Sequence, residues 1–182
     1  MRTFFSVILC LAATGAARAQ DGSQTPPDNT EHLKQLEWLV GTWDGKGTFD
    51  GKPYTSETTY EWTMNRNFLR VHYAAKMGEQ VVWQDTTMIG WDRQKKKLVW
   101  FTFGLDGSIG GGEHQESKEK DVWVIEGGIP GDTAFAKTRT YLRRTGPDSV
   151  KSTIQTWKDG AWVTFIECDE ARRKPEKADP GK

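Results

Sequence analysis

Thr55-Ser56-Glu57-Thr58-Thr59-Tyr60-Glu61-Trp62-Thr63-Met64 is the stretch whose reading decides the fold. Tyr60, Trp62 and Met64 alternate there with Thr59, Glu61 and Thr63, the period-two pattern of a strand with one buried face. Asn65-Arg66-Asn67 follows as a turn, and Phe68 opens a second extended run that ends at Lys76. The same grammar repeats outward in both directions. Upstream, a strand over Trp43–Phe49 ends at Asp50-Gly51. Downstream, strands are predicted over Val81–Trp91, Lys97–Phe103, Ser108–Ser117, Val122–Gly127, Phe135–Arg143, Ser149–Trp157 and Ala161–Ala171. Turn residues separate them, among them Met77-Gly78-Glu79, Asp92-Arg93-Gln94, Gly146-Pro147-Asp148 and Asp159-Gly160. About ten sequential antiparallel strands accumulate twist and leave long edges, so they are expected to close into an all-β up-and-down barrel. A sandwich of two meanders is the alternative.

Upstream of the strands, Leu33, Leu36, Leu39 and Val40 recur at helical spacing between Glu31 and Val40. Thr30 is the expected N-cap and Gly41 lies just past the end, which makes one short N-terminal helix.

Composition agrees with a single β domain. The 182 residues allow one sizeable core, and 9 Trp, 8 Phe and 4 Tyr beside 19 Gly suit twisted sheets with tight turns. Lys and Arg total 25 against 25 Asp and Glu, so there is no basic field for nucleic acid, and none is expected as a partner.

The first residues read as targeting. Met1-Arg2 is a short basic start, Phe4 to Ala13 is apolar, and Ala17-Arg18-Ala19 has the small-x-small form of a cleavage site. Residues 1–19 are therefore expected to be a signal peptide, with export to the periplasm or medium. The apolar run is about ten residues, against the ~20 that a membrane span needs, so no span is expected after processing. Cys10 lacks the small residues of a lipobox before it, and its removal leaves Cys168 alone, so no internal disulfide is available. Residues 20–30 read as a disordered leader, 31–174 as the barrel domain and 175–182 as a disordered tail.

His32-Leu33-Lys34-Gln35-Leu36-Glu37-Trp38-Leu39-Val40-Gly41-Thr42-Trp43-Asp44 is more specific than a generic barrel pattern. It resembles the opening of the bacterial calycin-like family known as domain of unknown function 1579, in which a short helix ending Leu-Val-Gly-Thr-Trp leads into the first strand. Asn67-Phe68-Leu69, Gly90-Trp91-Asp92 before Lys95-Lys96-Lys97, Asp159-Gly160 before Phe165-Ile166-Glu167, and Arg172-Arg173-Lys174 follow in the same order. The resemblance spans residues 32–174. It implies a lipocalin-like barrel and no established activity. The segment Gly41-Thr42-Trp43-Asp44-Gly45-Lys46-Gly47 also resembles the start of nitrobindin-like heme barrels. The Tyr-Pro-Thr continuation of that family is absent. So is the axial histidine it needs near the C-terminus, since the chain has only His32, His72 and His114. No heme or other cofactor is expected.

Motifs for chemistry are sparse. Three scattered histidines and one mature cysteine give no metal-ligand spacing, and His114 beside Glu113 and Glu116 reads as a solvated strand end. Ser108 does not sit in a nucleophile elbow, and Gly104 to Gly112 lacks the Lys-Ser/Thr of a phosphate loop, so that glycine run reads as a place of close backbone approach. No catalytic residue is assigned.

The stronger candidates are charges set in apolar strands. Period two aligns Glu167 with Val163 and Phe165, and Arg139 with Phe135 and Tyr141, which predicts an inward Arg139–Glu167 pair. With His72 and the strand tryptophans Trp43, Trp62 and Trp83, these residues (Tyr141 included) form the expected lining of a site for a small hydrophobic or amphipathic ligand. Two alternatives stand beside it: a filled barrel with a structural or interaction role, and an acid–base enzyme using Glu167 and His72. Oligomeric state is not legible.

Overall fold

The protein is described by a computed structural model covering residues 28–174. The expected signal peptide (residues 1–19), residues 20–27 of the expected leader and the expected tail (175–182) lie outside the described residues.

Ten antiparallel strands close on themselves: β1 (Gly41–Phe49), β2 (Lys52–Thr63), β3 (Phe68–Met77), β4 (Gln80–Asp92), β5 (Lys97–Gly104), β6 (Ile109–Gln115), β7 (Val122–Gly128), β8 (Thr138–Gly146), β9 (Ser149–Lys158) and β10 (Ala161–Arg172). Each pairs with its neighbours in sequence, and β1 pairs with β10 to seal the barrel. This is the expected up-and-down topology, with no edge left unpaired.

Two local expectations change. The predicted helix is an α-turn, α1 (Thr30–Leu33), continued as a 3₁₀ segment over Lys34–Leu39. Thr30 is its first residue and not its cap: its hydroxyl and N–H both go to the Asp28 carboxylate, and Asn29 holds the cap position without a side-chain bond. The eighth strand starts at Thr138, not Phe135, because the Asp132 carboxylate accepts the N–H groups of Ala134 and Phe135, both at 2.7 Å, and folds that segment into a turn.

The helical segment plugs one end of the barrel. Leu33, Leu36 and Leu39 are fully buried with Trp43, Leu69 and Leu98, and the Trp43 indole N–H donates to the Leu39 carbonyl at 2.7 Å. Each such side chain contributes about 1.5–3 kcal/mol of burial free energy, which explains how a helix this short is held. A second, smaller cluster around Tyr54, Ala75, Ile166 and Cys168 fills the opposite end. The glycine run behaves as read: a Cβ on Gly112 would overlap the Glu126 carbonyl oxygen, and one on Gly127 would overlap that of Gly111. Strands β6 and β7 approach too closely there for any side chain.

Candidate functional site

Between the two packed ends, the inward positions change character. Thr58, Thr87, Thr102, Thr138, Thr140 and Ser152 face the barrel axis where the ends carry Leu, Trp and Tyr, and these small side chains leave a cavity of about 230 Å³. The volume lies just below the ~300–1,000 Å³ usual for ligand pockets. Tyr60, Tyr73, Trp83, Trp100 and Trp123 give it aromatic walls. The indole N–H groups of Trp100 and Trp123 are sealed inside the wall without a partner among the described residues.

Two carboxyls line this cavity, Asp85 on β4 and Glu170 on β10. The Asp85 carboxylate accepts the Trp83 indole N–H at 2.8 Å and the Thr87 hydroxyl at 3.1 Å. Burial pushes its pKa above the ordinary carboxylate value, against the opposing bonds from Trp83, Thr87 and Thr102. Burial pushes Glu170 up as well, and a hydrogen bond from Ser152 alone opposes it. Burial likewise raises the Tyr54 and Tyr73 phenols and the Cys168 thiol, which are therefore neutral at physiological pH. The described residues that line the cavity include no Lys, Arg or His.

A rim of aromatic rings crosses the barrel end opposite the helix. Phe165 contacts Phe49 at 4.8 Å and Phe135 at 5.1 Å between ring centroids, both edge-on, and Phe135 lies 6.3 Å from Trp83. Phe135 belongs to the β7–β8 connection and itself lines the cavity.

Of the residues singled out in the sequence, Trp83 lines the cavity. Trp43 and Trp62 belong to the packing around the helical plug. The other four lie outside. His72 is exposed and contacts Thr86 and Gln84 on the outer face. Arg139 is bonded to Glu126 at 2.5 Å and to the Tyr141 hydroxyl at 3.2 Å, and stacks on Trp162 with 4.3 Å to the ring centroid. Glu167 is half exposed and reaches only Lys151, at 3.5 Å. The expected inward Arg139–Glu167 pair is thus not formed. A register shift between Thr164 and Ile166 is the reason: it turns Phe165 to the rim, takes Glu167 off the face that Val163 shares with Thr156 and leaves it on the solvent side, and brings Ile166, Cys168 and Glu170 inside. With Glu167 and His72 both on the outer surface, that acid–base combination has no pocket to act in. His114 departs from the solvated reading too, stacking on Trp123 at 5.5 Å, where burial lowers its pKa. No group of three metal-ligating side chains occurs among the described residues.

No family model and no curated protein matches the chain. Among solved structures, Rv2717c from M. tuberculosis superposes with a TM-score of 0.62 at 16% identity, over 81% of this chain and 100% of that one. The fold is lipocalin-like. The S-type phycobiliprotein lyase CPES from Guillardia theta is more distant, with a TM-score of 0.48 and 13% identity over 81% of this chain and 99% of the lyase. Rv2717c at this identity speaks for the barrel alone, so what the lipocalin-like interior holds must be argued from its own residues.

Proposed function

We propose that this barrel is a binding protein for one small amphipathic molecule held in its interior. The observation that carries the reading is the cavity of about 230 Å³, walled by aromatic rings and furnished with two carboxyls. A barrel serving only as a structural module gains stability from filling such a space, since empty volume costs about 24 cal/mol per Å³ in packed cores. Buried carboxyls likewise cost free energy unless something compensates them. A ligand relieves both costs.

Export is part of the proposal, supported by the basic start, apolar run and Ala17-Arg18-Ala19 of residues 1–19, which would have the protein meet its ligand outside the cytoplasm. Kinship with the calycin-like family 1579 is proposed on the His32 to Asp44 run, which builds the plug and the start of β1.

Binding is tested by tryptophan fluorescence and thermal unfolding against a panel of small aromatic and aliphatic compounds. Trp83, Trp100 and Trp123 report directly from the cavity wall. A ligand at a hundred times its Kd stabilises by about 2.7 kcal/mol. A panel that leaves both signals unmoved would overturn the reading.

A further inference from the structure

We propose that the cavity selects a small organic cation, a protonated amine on an aromatic or short aliphatic body, with Glu170 as its counter-ion. The inference rests on reading the cavity as a ligand site and goes further by naming the charge of the ligand.

The cavity's chemistry is one-sided. Asp85 and Glu170 are the carboxyls on its wall, no Lys, Arg or His stands among the described residues lining it, and much of the remaining wall is aromatic. An anion entering such a space loses its hydration and meets like charge, whereas an ammonium meets carboxyl oxygens and aromatic walls. The two acids are not equivalent. Asp85 accepts from Trp83, Thr87 and Thr102, which leaves its carboxylate largely satisfied and fixed in place. Glu170 has only the Ser152 hydroxyl, although a carboxylate offers about four acceptor sites. It is the group with unused acceptor capacity facing the cavity, and an ammonium N–H fits it. The titratable groups that sense it, Tyr60, Tyr73 and Cys168, supply no competing positive charge. When the ammonium arrives, a protonated Glu170 releases its proton to solvent and the charged pair forms in the cavity.

Three probes of nearly equal shape separate the possibilities by calorimetric titration of the folded protein: phenethylamine, phenethyl alcohol and hydrocinnamate. Phenethylamine is expected to bind at least about tenfold tighter than the alcohol, with hydrocinnamate weakest. Glu170→Gln is expected to abolish the amine's advantage and leave the alcohol's affinity unchanged. Equal affinities, or hydrocinnamate binding best, would overturn the cation preference while leaving the cavity as a ligand site. An amine advantage that persists in Glu170→Gln would overturn Glu170 as counter-ion. Failure of all three probes overturns the cation reading, and only failure of the wider panel as well removes the binding site. The three wild-type affinities decide the sign of the preference even if Glu170→Gln does not fold.

Discussion

The guanidinium carbon of Arg172 lies 4.2 Å from the centre of the Trp43 ring, and the same side chain donates to the carbonyls of Trp38, at 2.5 Å, and Val40. A further bond at 2.9 Å reaches the Asp148 carboxylate. The last strand thereby grips the exit of the helical plug, whose own tie to β1 is the Trp43 N–H on Leu39. Arg172→Ala deprives two partly buried carbonyls of their donors and is expected to cost about 2–4 kcal/mol in urea unfolding. Arg172→Lys recovers little, since an ammonium cannot stack on the ring and reach both carbonyls as the planar fork does. A cost below about 1 kcal/mol would show that the plug is held by its leucines alone.

Acid behaviour should separate the interior carboxyls from those on the surface. Asp85 and Glu170 have raised folded-state pKa values, so between the ordinary value near about 4 and the raised ones the folded state holds more protons than the unfolded. Their contribution to stability is full below that window and is lost as pH rises through it. Asp44, Glu113 and Glu119 are lowered by arginine or lysine partners and act in the opposite sense, losing their contribution as pH falls through their folded values. The double variant Asp85→Asn, Glu170→Gln is therefore expected to gain stability relative to wild type as pH is raised from about 4 through the raised values. A difference between the two proteins that is independent of pH would show that neither carboxyl titrates abnormally.

Neighbouring residues on β10 test its register. Glu167→Ala removes a half-exposed side chain with one distant lysine partner and is expected to cost under about 1 kcal/mol. Ile166→Ala removes a side chain only 5% exposed and is expected to cost about 2–5 kcal/mol. Reversed magnitudes would mean that the strand is set one residue differently.

That strand also shows where sequence reading stops. All ten strands were legible because nearly every one ends in residues with turn chemistry, and Asp50, Asn65 and Asp159 do adopt positive φ at those turns. Trp83 was legible as a lining residue, and its partner Asp85 was within reach: Trp83, Asp85, Thr87 and Ile89 form one period-two face of β4. Val81-Val82-Trp83 blurred that alternation by making both faces apolar at the start of the strand, where pairing with β3 also shifts at Ala75 and Lys76. On β10 the obstacle was the irregularity at Phe165. An apolar ring that turns to the rim made its outward neighbour Glu167 look internal and hid Glu170, which stands in step with Ile166 and Cys168. Nothing in a single sequence marks such a shift.

The rim should govern entry to the cavity. Phe135 sits on a connection held by the Asp132 carboxylate, and its ring bridges Phe165 and Trp83 across the end away from the helix. Truncating it removes aromatic contacts worth about 0.5–1.5 kcal/mol each and no part of the barrel ladder, so Phe135→Ala should fold with a modest loss of stability. Acrylamide should then quench a larger share of the tryptophan emission, because Trp83 loses its cover. A bound ligand should also dissociate faster, with its association rate raised as well. Asp132→Ala, which frees two backbone N–H groups of the same turn, should act in the same direction without touching any lining ring. Quenching and exchange rates unchanged in both variants would place the mouth of the cavity elsewhere on the barrel.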